Sequence, residues 1–221
     1  MKRFLSVLFM LITTYSLFAQ ERIVTTFLGI PVDGTKSDMI QKLQAKGFKY
    51  YKTIDVFEGE FNGEKVHLSV LTHNNKVYRI ALIDAIKRDE TDIKIRFNKL
   101  CRQFGQNPKY LSISEEDITI PESEDISYEI SANNKRYQAS FIQTEETAKL
   151  QKEAMLQVKK KYSEEAFSKM TEKEQIILLA KEALNLIGKR QVWFMIGGRY
   201  GEYCIGLYYD NLYNQANGED L

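Results

Sequence analysis

Tyr51–Ile86 reads YKTIDVFEGEFNGEKVHLSVLTHNNKVYRIALIDAI, and its two turns decide the fold. Asn62-Gly63 is the strongest short hairpin signal, because both central residues of a type I′ turn need positive φ. His73-Asn74-Asn75-Lys76 supplies the second turn, with two asparagines that tolerate the left-handed region. Between them Val66, Leu68 and Val70 alternate with Lys65, His67 and Ser69, so one face of the ribbon is dry and the other wet. The stretch therefore predicts three antiparallel strands that must bury one face, and helical patterns lie on both sides of it in sequence.

Upstream, Glu21–Ile30 predicts a first strand stopped by Pro31 and the Asp33-Gly34 turn. Thr35 is placed as an N-cap, with Met39, Ile40 and Leu43 at helical spacing and Gly47 closing the element. Downstream, Thr91 is expected to cap a helix reaching Phe104, with Ile93, Phe97, Leu100 and Cys101 on its apolar stripe. Residues 110–125 predict an acidic loop with a short edge segment at Ile118–Ile120. Residues 126–132 and 136–142 predict a hairpin across Asn133-Asn134-Lys135. Thr144–Lys161 and the capping box Thr171/Glu174 predict two helices, the second running through Ile176, Leu179 and Leu184 to Gly188. Strands at about 191–197 and 202–209 close the chain around Gly197–Gly201.

The expected fold class is α+β: antiparallel sheet with helices packed on one face, arranged as two tandem helix-plus-meander units with a helical insertion in the second. The organisation this predicts is a signal peptide at 1–19, a first unit at 20–89, a second at 90–209 with its insertion at about 144–188, and a tail at 210–221. The start carries the export expectation: Met1-Lys2-Arg3, an apolar run from Phe4 to Phe18, then the small Ala19. That run is shorter than the roughly 20 residues a membrane span needs. The expected location is periplasmic or extracellular.

Gly34-Thr35-Lys36-Ser37-Asp38-Met39, with Leu43 four residues further on, resembles the G-x-T-x-x-x-[VM]-x-x-x-L helix start of the SmpA/BamE and β-lactamase-inhibitor-like folds. That resemblance covers about residues 30–87 and implies an exported protein with a short helix packed on a meander; it implies a shape and no activity. The chain as a whole is similar to a group of uncharacterised exported proteins of Gram-negative gut anaerobes. The stretches that carry this are Phe27-Leu28-Gly29-Ile30-Pro31-Val32-Asp33-Gly34, Tyr208-Tyr209-Asp210-Asn211 and Gly218-Glu219-Asp220-Leu221.

No catalytic or cofactor signature is present in the sequence. The formal charge of +1 argues against a generic nucleic-acid binder. Only two histidines occur, His67 on the wet side of a strand and His73 in a turn, without diagnostic metal-ligand spacing. There is no G-x-S-x-G elbow, and Gly197-Gly198-Arg199-Tyr200-Gly201 precedes a strand where a phosphate loop would precede a helix. Acids are plentiful, as in Glu115-Glu116-Asp117, but carry no calcium-loop pattern. No catalytic residue, metal or cofactor is assigned.

The two cysteines, Cys101 and Cys204, are candidates for a disulfide in an exported chain. The aromatics are the candidate binding feature. Trp193, Tyr200 and Tyr208 fall close together in the last two strands, on what would be an aromatic face if nothing covers it. The leading functional expectation is an exported, non-enzymatic protein that binds a protein or envelope component on its sheet. A glycan-binding module using the same aromatics is the alternative, and a carboxylate-dependent hydrolase, which would need two acids converging in a pocket, is the third.

Overall fold

The computed structural model describes residues 22–113 and 118–216. The leader Phe4–Phe18, the acidic run Glu115–Asp117 and the end of the tail from 217 onward lie outside the described residues. The architecture is α+β, built on one eight-stranded antiparallel sheet and a small two-stranded one.

The small sheet comes first: β1 (Thr26–Phe27) and β2 (Ile30–Pro31). A continuous strand was expected here, but Leu28 and Gly29 both take left-handed φ (49° and 78°) and fold the segment into a tight hairpin. Its inner side chains, Phe27 and Ile30, enter the core.

Helix α1 (Lys36–Ala45) follows. The Asp38 amide donates to the Thr35 side chain at its start, and Gly47 takes φ 95° just beyond its end. Met39 and Leu43, one turn apart, are fully buried beneath it.

The meander has four strands, one more than expected: β3 (Lys49–Tyr51), β4 (Val56–Phe61), β5 (Glu64–His73) and β6 (Lys76–Asp84). Both predicted turns are present, with Asn62 and Gly63 at φ 54° and 76°, and Asn74 and Asn75 at 47° and 59°.

The second half begins with α2 (Glu90–Gln106), capped by Asp89 where Thr91 was expected. Its sheet is β7 (Tyr110–Ser112), β8 (Gln138–Gln143), β9 (Arg190–Arg199) and β10 (Glu202–Asn211). Residues 126–132 are not a strand; they form α3 (Ile126–Ala132). Asp125 accepts the Tyr128 amide as its cap, and Glu90 of α2 accepts the Ile126 amide at 2.9 Å. Helical spacing then puts Ile126 and Ile130 on the core, overriding the strand preference of this stretch.

The edge strand is β7 and not Ile118–Ile120. Ile120 is tied to α2 instead: Asn98 donates to its carbonyl and accepts its amide, both at 2.8 Å, as a strand partner would. Between β8 and β9 the chain forms α4 (Thr147–Lys161), α5 (Glu164–Ser168) and α6 (Glu172–Gly188), with the expected Thr171/Glu174 capping box on α6.

The strand order is β3-β4-β5-β6-β10-β9-β8-β7. Each half is thus a helix followed by a four-strand meander, and the last strand of one meander pairs antiparallel with the last strand of the other. One row of side chains crosses the join without a break. Tyr50, Phe57, Leu68 and Leu82 of the first half continue as Leu207, Phe194 and Ala139 of the second. These residues, α1, the apolar stripe of α2 and Ile126 share a single core on one face of the sheet.

Cys101 lies on that covered face, in the core. Cys204 stands between Tyr203 and Ile205 of β10, which are both buried in the same core, so its side chain points to the opposite face. The candidate disulfide between them therefore does not form.

Two checks follow from this packing. Gly59 faces the ring of buried Phe48, and a Cβ there would sit 2.5 Å from it. Gly59→Ala should cost about 1–3 kcal/mol of stability in urea unfolding. Glu90 is held below its ordinary carboxyl value: burial works in the other direction, but the Ser127 hydroxyl and the amides of Ile126 and Ser127 outweigh it. A lowered folded value means the stabilisation is complete at neutral pH and fades as pH falls through and below 4.5. Wild type should exceed Glu90→Gln in unfolding free energy at pH 7, and the gap should narrow toward pH 3.5.

Candidate functional site

Alternation leaves the other face of the sheet without a buried hydrophobic side chain among the described strands. Lys65, His67, Ile83 and Gln138 stand exposed on it. At its centre, across the β6–β10 join, one cross-strand row reads Ser69, Ala81, Tyr208, Trp193, Ser140. Trp193 and Tyr208 are direct partners in register and stack with ring centroids 4.1 Å apart and planes 22° apart. Small neighbours on both sides leave the pair standing as a ridge. The backbone cooperates, because the Tyr208 hydroxyl occupies the space a Cβ would take at Gly206, 2.6 Å from it.

The next row places Arg79 opposite Asp210. Arg79 Nε and Nη2 donate to the two carboxylate oxygens at 2.6 and 2.7 Å, a bidentate fork. The Trp193 indole N–H donates to the same carboxylate at 2.9 Å. The guanidinium lies 5.4 Å from the Trp193 ring centroid and 5.2 Å from that of Tyr208. Asp210 is only 2% exposed, so its charge is neutralised where water cannot reach. That bond to Asp210 raises Arg79 above its ordinary value. Burial pushes the Tyr208 phenol up, with Arg79 acting against it.

Of the three candidate residues, Trp193 and Tyr208 meet and Tyr200 does not join them. Tyr200 sits at the tip of the β9–β10 hairpin, 87% exposed and at φ 56°. Arg79 and Asp210 were not singled out from sequence. They are separated by 131 residues, and Asp210 had been assigned to the tail, whereas β10 runs on to Asn211. The arrangement departs from a flat aromatic platform, since each ring turns one face to the other and the indole N–H is already committed.

A cavity of about 470 Å³ lies where α4 and α6 meet the body and contains two buried acids, Glu153 and Glu182. Glu182 accepts from Lys161 at 2.5 Å and from Asn185. Burial alone would raise its carboxyl, but these donors hold it below the ordinary value. A general acid working near neutral pH requires the opposite shift. Among the described residues no cluster of three or more potential ligands suits a metal ion.

A scan against protein-family profiles, a search of curated proteins and a search of solved structures each return no match.

The cluster makes its own forecast. Arg79→Ala leaves the Asp210 carboxylate buried with the indole N–H as its remaining side-chain donor, and should cost about 3–5 kcal/mol in denaturant unfolding. Trp193→Phe keeps a stacked ring and loses one charge-assisted hydrogen bond, and should cost about 1–3 kcal/mol.

Proposed function

We propose that this chain is an exported, non-enzymatic binding protein that holds a protein partner of the cell envelope against the open face of its sheet. The observation that carries the proposal is the Trp193–Tyr208 ridge under Arg79, on a face where the described strands bury no hydrophobic side chain. Trp, Tyr and Arg are the side chains that most often dominate binding energy at interfaces, and they do so from central, well-packed positions. Here Asp210 orders Arg79 and Trp193, and Tyr208 stacks on the indole so held, so little conformational freedom remains to be lost on binding. Export is supported by the basic start, the short apolar run and Ala19. Among the described residues no helix is long and apolar enough to cross a membrane.

The same geometry favours a protein over a glycan, because a sugar ring stacks on a flat, free aromatic face and these rings spend theirs on one another. The test leaves the ridge itself intact. Ile83, 46% exposed on the open face, flanks it in the neighbouring row. Immobilised wild-type chain should retain an envelope protein at physiological salt, and Ile83→Asp should lose at least about tenfold of that retention with an unchanged melting temperature. The fluorescence of Trp193, the single tryptophan, should shift on adding the purified partner and stay still across a panel of polysaccharides. Failure to retain any partner, or equal retention by Ile83→Asp, would sink the proposal.

A further inference from the structure

Helix α6 is the most apolar helix described, yet the two residues it buries fully are Glu182 and Leu186. Ile176, Ile177 and Leu184 are 59%, 57% and 66% exposed. Its packing partner is α4, and between the two helices runs an apolar groove of about 520 Å³, walled by Leu150 and Met155 on one side and Leu179 and Ala183 on the other. Exposed side chains and groove are contiguous. At 100° per residue, positions 179, 183, 176, 180, 184 and 177 sweep in order around a single flank of α6. A surface helix with this pattern ordinarily turns the stripe inward, and here the stripe faces solvent.

We infer that the α4–α6 hairpin is a self-association surface, and that its occupant is the same hairpin of a second copy of this chain. The pattern along α6 is self-complementary. Ile176, Ala180 and Leu184 recur every four residues, with the smallest at the centre. A two-fold axis beside Ala180 sets two α6 helices antiparallel, with Ile176 of each copy against Leu184 of the other. The two alanines then allow close approach at the crossing. Antiparallel pairing also sends the two sheets to opposite ends of the contact.

The dimensions suit a modest dimer. Seventeen residues of α6 make about 25 Å of length. With α4 about 10 Å away, the hairpin presents about 500 Å² per copy. The total of about 1,000 Å² sits at the lower limit of specific interfaces, so the dimer should form and dissociate with concentration. Glu172 and Lys173 are the charged residues within the stripe itself, and both lie at its N-terminal end, where they reach solvent.

Sedimentation velocity on the purified chain tests this. Wild type should pass from monomer to dimer across about 10 µM to 1 mM, as an interface of this size predicts. Leu184→Glu puts two carboxylates into the contact and should weaken dimerisation at least about 100-fold. Ala180→Arg blocks the crossing from an exposed position with a strong helix former, so it should give a monomer whose circular dichroism and melting temperature match a monomeric wild-type sample. Tyr200→Ser, at the far hairpin tip, should dimerise as wild type does. A chain that stays monomeric to 1 mM overturns the inference, as does a dimer indifferent to both Leu184→Glu and Ala180→Arg. So does a monomer that co-sediments with anionic phospholipid vesicles and loses that binding on Leu184→Glu, which would give the stripe to a lipid surface.

Discussion

Two strands, β6 and β10, hold the molecule together. Each closes its own meander, and the five-residue register between them is what turns two four-stranded ribbons into one sheet. On the covered face that register brings Leu82 beside Leu207, so the two apolar rows become one and both helices sit over a common core. On the open face it brings Arg79 beside Asp210, and the bidentate bond between them fixes the register from the other side. A slip of one residue would turn every inward side chain outward and part a buried carboxylate from its guanidinium.

The candidate site is a by-product of that join. Asp210 needs three donors because the strands around it exclude water, and it takes two from Arg79 and one from Trp193. The indole so oriented stacks on Tyr208, and Gly206 leaves room for the phenol to lie down. Satisfying one buried charge therefore lifts three large side chains into a fixed group on the face opposite the core. The rigidity is paid for by folding, before any ligand arrives.

Much of the architecture was legible in the sequence because it rests on local chemistry. Asn62-Gly63, Asn74-Asn75, the Thr35 cap and the Thr171/Glu174 box act within a few residues, and each appears as read. The errors arose where a distant partner decided. Ile126–Ala132 became a helix because Glu90, on another element, receives its first amides. Ile118–Ile120 stayed out of the sheet because Asn98 of α2 bonds Ile120. The aromatic pair was visible through alternation, which correctly separated Trp193 from Phe194. Arg79 and Asp210 were not, since nothing in either neighbourhood marks a pairing across 131 positions. Tyr200 was grouped with them by closeness in sequence alone, while the hairpin carries it to the tip.

β10, the last of the described strands in sequence, takes a place in the middle of the sheet, not at its rim. Until β10 arrives, β6 exposes a long row of unpaired amides and carbonyls beside Val77, Ile80 and Leu82, the kind of template on which chains join wrongly. The finished molecule, by contrast, ends in two strands of three residues each, β3 and β7, which offer a neighbour very little to pair with. Vulnerability to misassembly is thus concentrated in the interval before β10 is in place, and a chain cut short of Gly206 would lack the wedge that hides its stickiest edge.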